Sequence, residues 1–108
     1  MTIQDVAPHD LPGVLASTPG PLVVVFHADW CGYCARFEPV VEKRAPGLPA
    51  RVVRVDISDE EHPLWDALAI EYVPTVMVFR EGKPVARVGG ILREQHLEKV
   101  LAEGGLTK

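Results

Sequence analysis

Leu22-Val23-Val24-Val25-Phe26-His27-Ala28-Asp29-Trp30-Cys31-Gly32-Tyr33-Cys34 is the stretch on which the fold turns. Leu22 to Phe26 is a continuous apolar run rich in β-branched residues, the pattern of a strand buried on both faces. Cys31 and Cys34 are the only cysteines of the chain. Thiols at that spacing can close into a disulfide and reopen, or supply half of a zinc site. Downstream, Phe37, Val40, Val41 and Ala45 fall on one face of a helix expected from about Cys31 to Ala45, with Pro39 inside it. A strand therefore feeds a helix, and the cysteine pair sits at the junction.

Further out, residues 2–6 read as a short edge strand. Asp10 followed by Pro12 reads as a helix start, with a short helix over Gly13–Ser17 that Thr18-Pro19-Gly20-Pro21 breaks. Arg51–Ile57, carrying Val52, Val53 and Val55, is a second strand. Ser58-Asp59-Glu60-Glu61 fits a capping box with Pro63 in the turn that follows. Leu64, Trp65, Leu68 and Tyr72 then predict an amphipathic helix. Thr75–Phe79 is another apolar strand, Glu81-Gly82-Lys83 a tight turn, and Pro84–Val88 its antiparallel return. Gly89-Gly90 interrupts that pattern. Leu97, Val100 and Leu101 mark a closing helix that ends near Gly104-Gly105 and lacks an obvious capping residue at its start. The order β-α-β-α-β-α-β-β-α predicts an α/β protein: a central mixed sheet of four to five strands with helices on both faces.

A chain of 108 residues, 47% hydrophobic and 24% charged, is expected to form one globular domain over residues 1–108. Its net charge of −4 argues against nucleic acid and anionic membranes as partners. Leu22–Phe26 is far too short to cross a bilayer. Met1-Thr2-Ile3-Gln4-Asp5 shows no basic region leading into an apolar run, so the expected location is the cytoplasm. In that compartment a lone Cys-x-x-Cys is more often catalytic or metal-binding than a permanent structural bond.

A strand that feeds a helix places Cys31 at the helix N-cap. Backbone N–H groups there lack helical partners and the helix dipole is positive, and both favour a thiolate. Cys34, one turn further in, is expected to be more buried and to hold its proton more tightly. Cys31 then attacks a substrate disulfide and Cys34 resolves the mixed disulfide. Two alternatives stand beside this reading. One is an inert pair. The other is a metal site, but zinc takes about four ligands, and His9, His27, His62 and His96 show no paired spacing.

Phe26-His27-Ala28-Asp29-Trp30-Cys31-Gly32-Tyr33-Cys34 resembles the active-site stretch of the thioredoxin family, usually Trp-Cys-Gly-Pro-Cys. Pro39 matches the family's helix proline, Val55-Asp56-Ile57 its central strand ending, Val73-Pro74-Thr75 its cis-proline loop, and Gly89 its glycine after the last strand. The match runs in order over nearly the whole chain. It implies a thioredoxin fold and thiol–disulfide exchange with protein disulfides. The active-site motif would comprise Trp30, Gly32 and Tyr33 with the two cysteines. A cis Pro74 would lie against them, and Val73, Pro74, Thr75, Gly89 and Gly90 would receive an extended substrate. The exchange needs no cofactor and no metal. Thioredoxin reductase or glutathione would supply electrons, and a monomer is expected. Trp30 is expected to flank the site, and Trp65 to pack in the core.

The chain departs from that pattern at two positions. Tyr33 stands where the family's proline separates the cysteines. Proline there accompanies strongly reducing members, whereas Gly-Tyr occurs in disulfide-isomerase-like members and tyrosine in glutaredoxins. A potential less reducing than thioredoxin's follows, between roughly −270 and −180 mV. Val25 stands where thioredoxins commonly bury an aspartate that helps move the resolving cysteine's proton. Resolution should therefore be slow unless His27 replaces the base; a histidine merely packed at a strand end is the competing reading. Glu38 reads as a solvated helix charge. Two other functions remain alongside a reductant: an oxidase or isomerase of an oxidising compartment, and a redox-inert binding or chaperone module.

Overall fold

The apolar run Leu22–Phe26 lies at the centre of the sheet and is buried throughout. The computed structural model describes residues 3–107. Its elements are β1 (Ile3–Val6), α1 (Leu11–Ser17), β2 (Pro21–His27), α2 (Gly32–Arg44), β3 (Arg51–Asp56), α3 (Leu64–Ala67), β4 (Thr75–Arg80), β5 (Lys83–Gly89) and α4 (Glu94–Glu103). Thr2, the expected first residue of the edge strand, lies outside the described residues. The sheet order is β1-β3-β2-β4-β5. β1 and β2 each run parallel to β3, whereas β4 is antiparallel to both β2 and β5. The mixed sheet expected from the element order is therefore present, with five strands.

Period two along β2 splits its side chains between two cores. Leu22, Val24 and Phe26 pack with Leu11 of α1, Leu64 of α3, and Met77 and Phe79 of β4. Val23 and Val25 face the other way and pack with Phe37 and Val41 of α2 and Leu97, Val100 and Leu101 of α4. Each such side chain contributes about 1.5–3 kcal/mol relative to an exposed one. Helices on both faces explain why β2 has no polar alternation. In the β4–β5 turn, Glu81 and Gly82 both take positive φ (52° and 76°), the pairing that matches the twist of a two-residue hairpin. Pro84 pairs with Phe79 beside the register shift, on the edge strand β5, where a residue without an N–H is tolerated.

Three local expectations need correction. The first is at Asp10, which is the N-cap of α1 as expected, with Pro12 in the first turn, but whose side chain caps nothing. The chain enters α1 through a 3-10 turn over Pro8–Asp10, so the helix begins earlier than expected, at Leu11. The second is the capping box expected at Ser58–Glu61. The N–H of Leu64 is instead met by Nδ1 of His62 at 3.1 Å, and the Ser58 hydroxyl is engaged elsewhere. The third is the helix expected to reach Tyr72. It stops at Ala67, because Ala69 turns left-handed (φ 52°). The N–H groups of Ala69 and Ile70 fold back onto the carbonyls of Asp66 and Trp65, a Schellman-type end built without glycine. Arg87 of β5 caps that end by donating to the carbonyls of Leu68 (2.6 Å) and Ala69 (3.1 Å).

α4 ends as its sequence suggests. Gly105 is left-handed, and the N–H groups of Gly105 and Leu106 close onto Ala102 and Leu101. Its start has a cap that the sequence does not advertise: Nδ1 of His96 accepts the N–H of Arg93 at 2.9 Å, in the role usually held by Glu or Gln.

Candidate active site

Cys31 is the N-cap of α2, in extended backbone, and its sulfur accepts the N–H of Cys34 at 3.1 Å. A donor directed at sulfur supports negative charge on it. The Cys31 thiol in turn faces the carbonyl of Val73 at 3.4 Å. The Val73–Pro74 peptide is cis, and Pro74 lines the same cavity as both cysteines. β2, the start of α2 and the loop before β4 thus bring together Cys31, Cys34, Val73 and Pro74 from distant parts of the chain.

Both thiols are free and buried. Burial, the hydrogen bond with Cys31, and the negative charges of Cys31 and Asp56 push the Cys34 thiol up to about 12, against a smaller opposing effect of the Ala28 backbone. The pair is therefore asymmetric. One sulfur caps the helix and receives a donor, and the other keeps its proton across the physiological range. A metal site would need partners for these thiols. Among the described residues, no group of three or more His, Cys, Asp or Glu side chains is placed to hold an ion.

Trp30 and Tyr33 flank the pair with about half their surfaces exposed, 52% and 47%. The loop between β3 and α3 holds Trp30. Its indole N–H donates to the Ser58 carbonyl at 2.9 Å, and the Ser58 hydroxyl accepts the N–H of Asp29 at 2.8 Å. Asp56 fixes Ser58 in turn, accepting its N–H at 2.8 Å and also its hydroxyl. Burial pulls the Asp56 carboxyl up, but the two Ser58 donors together with nearby His27 hold it below the ordinary range. Trp65 packs against the core as expected and also stacks on Trp30, with centroids 6.5 Å apart and planes 11° from parallel. Ser58 is a positioning residue that sequence reasoning missed, because its spacing to Glu61 imitates a helix cap.

Val25, His27, Cys34, Glu38 and Arg54 line a cavity of about 170 Å³ beneath the pair. Val25 brings no acid to it. His27 stands at its edge, opposite Asp56 in the sheet register. Glu38 is not a free helix charge. It pairs with Arg54, which also holds Asp5 at 2.8 Å. The Arg54 hydrogen bond keeps the Asp5 carboxyl below its usual range, and Asp5 raises Arg54.

Gly89 and Gly90 lie beside Thr75 and Tyr72. A Cβ on Gly89 would stand 2.6 Å from Oγ1 of Thr75 and 2.9 Å from Cε2 of Tyr72. Glycine is thus required at 89 by the chain's own packing, beyond any approach of substrate. Gly90 has φ of 108° and donates its N–H to the carbonyl of Pro74 at 3.1 Å, tying the end of β5 to the cis-proline loop. The hydroxyl of Thr75 donates to the Tyr72 carbonyl at 2.7 Å.

Comparison with known proteins agrees with this architecture. The family model for thioredoxin matches residues 4–103. Thioredoxin of Chlamydia trachomatis is 30% identical over 102 residues, covering 94% of this chain and 97% of that protein. The solved structure of a mutant thioredoxin from Halobacterium salinarum superposes with a TM-score of 0.78 at 31% identity, covering 98% of this chain and 94% of that one. Spinach chloroplast thioredoxin f superposes with a TM-score of 0.82 at 25% identity, covering 94% and 93%. A family model matched over residues 4–103 and relatives matched over nearly their whole length leave one assignment: the chain belongs to the thioredoxin family of thiol–disulfide oxidoreductases.

Proposed function

We propose that the chain acts on protein disulfides as a reductant, with Cys31 as nucleophile and Cys34 as resolving thiol. The asymmetry of the pair carries this reading: Cys31 caps α2 and accepts the Cys34 N–H, while burial holds the proton on Cys34. The Cys31 thiolate attacks a substrate disulfide, forming a mixed disulfide and releasing one substrate thiolate, which takes up a proton. Cys34 gives up its proton and attacks the Cys31 sulfur, and the second substrate sulfur leaves as a thiol. Two electrons and two protons pass to substrate, and Cys31–Cys34 becomes a disulfide. The exchange needs no cofactor or metal beyond the two sulfurs. Val73, Pro74, Thr75, Gly89 and Gly90 form the floor against which the substrate segment lies extended, beside Trp30, Gly32 and Tyr33.

Tyr33 in the proline slot supports a potential less reducing than thioredoxin's, between roughly −270 and −180 mV. Thioredoxin reductase or glutathione recharges the pair, and the protein works as a cytoplasmic monomer. No helix among the described residues is long and apolar enough to cross a membrane. Equilibration with a glutathione redox series, with the oxidised fraction read by alkylation and mass, fixes the potential. A value inside that window is expected. A value at or below thioredoxin's removes the shifted poise, and one well above the window favours an oxidase or isomerase.

A further inference from the structure

Tyr33 and Arg36 of α2 and Ile91 and Arg93 of the segment leading into α4 line a cleft of about 500 Å³. It opens beside Tyr33, one of the two residues between the cysteines. Val40 contributes to its wall, and Glu94 places one carboxylate at it. Arg44, Arg51, Arg54, Arg80 and Arg87 all donate to acceptors of this chain. Among the described residues, Arg36 and Arg93 are the arginines whose guanidinium groups have no carboxylate, carbonyl or amide acceptor, and both flank this cleft. Arg36 is held only over the ring of Tyr33, 5.8 Å from its centroid. Two guanidinium groups without an acceptor thus share one face of a chain of net charge −4. Ile91, 60% exposed, supplies an apolar floor next to them.

Resting on the proposed reduction of protein disulfides, we infer that this cleft selects substrates carrying an acidic side chain close to the attacked cysteine. The substrate lies extended across Val73, and its aspartate or glutamate reaches the Arg36 and Arg93 guanidinium groups, which offer forked donors to a carboxylate. Glu94 works against binding at one edge, and the two cations outnumber it. The attraction is exposed to solvent, so it weakens with salt. Its main effect is on which substrate is captured, before the sulfur chemistry begins.

The test is a set of short peptides, each joined through its single cysteine to a chromogenic thiol. Each carries Glu, Gln or Lys at one of the three positions on either side of the cysteine. The reading is the ratio of kcat/KM for the Glu and Gln peptides, so that a general change in thiol reactivity cancels. We expect one or more positions at which the wild type prefers Glu by about threefold to tenfold at low salt, the range two exposed charge pairs supply. The preference falls toward one at 0.5 M NaCl and in Arg36→Gln/Arg93→Gln. A ratio of one at every position, or a preference that survives the double substitution, overturns the inference while leaving the reductase reading intact. A wild type that turns over no peptide overturns both. Oxidised glutathione runs in parallel: if the double substitution slows only glutathione, the cleft serves that tripeptide's carboxylates and the inference fails.

Discussion

Val25→Asp is the sharpest perturbation of the proposed site. Val25 is buried and lines the cavity that also contains Cys34. The Cys34 thiol sits near 12 in the dithiol form. In the mixed disulfide the contributions of Cys31 disappear, but burial, the largest cause, remains, so the thiol stays above its ordinary value of 9.0. At pH 7 no more than about one Cys34 in a hundred is then ionised, at a factor of ten per pH unit. Without an internal base, the logarithm of the resolution rate should climb with a slope near one from pH 7 to 9. An aspartate at 25 would be solvated by the cavity, whose volume of about 170 Å³ far exceeds what a single water needs. Acting as general base it should raise the rate at pH 7 by roughly tenfold or more and flatten the slope, since such groups commonly contribute 10²–10⁴. Stopped-flow mixing of reduced protein with an aryl disulfide reads this directly, because the second phase of thiolate release is resolution. A wild-type rate independent of pH would show that His27 or Glu38 already takes the proton. An unchanged or slower variant at pH 7 would refute the missing-base argument.

The same thiol predicts a stability change with pH. Its folded value is raised, so the folded state holds the proton more tightly than the unfolded chain. Stability is complete below about pH 9 and declines as pH rises from 9 toward about 12. Urea midpoints of the reduced protein should fall over that window relative to Cys34→Ser, at less than about 1.4 kcal/mol per pH unit; parallel curves would contradict the burial argument. Gly89→Ala drives a methyl into Thr75 and Tyr72, at 2.6 and 2.9 Å. Thermal denaturation should show a loss of about 1–3 kcal/mol, and Tyr72→Ala in the same chain should recover part of it. No loss on Gly89→Ala would mean the loop yields freely.

Much of this architecture is legible in the residues themselves. β2 and β4 announce themselves because burial on both faces leaves no polar position. Cys31 is legible as a cap because a strand leads straight into it. Several of the misses arise where tertiary partners replaced local signals. Ser58 looks like a helix cap, yet Asp56 and Asp29 claim its hydroxyl. Tyr72 continues a helical spacing, yet α3 ends early where Ala69 turns left-handed, and Arg87 from a distant strand satisfies the Leu68 and Ala69 carbonyls there. Glu38 resembles any solvated helix charge until Arg54 crosses from β3 to meet it. His96 caps α4 in a role that sequence patterns reserve for Glu and Gln. The cleft cations Arg36 and Arg93 are likewise invisible in the sequence, since what distinguishes them is the partners they lack.

Trapping tests the division of labour between the thiols most directly. Cys34→Ser and Cys31→Ser proteins are mixed with a disulfide-bonded protein substrate at pH 7, quenched with acid and examined by intact mass and peptide mapping. The Cys34→Ser protein should accumulate a mixed disulfide through Cys31. The Cys31→Ser protein, its remaining thiol buried and protonated, should form little or none over the same time. Comparable trapping through Cys34 would contradict the assignment of nucleophile and resolving thiol.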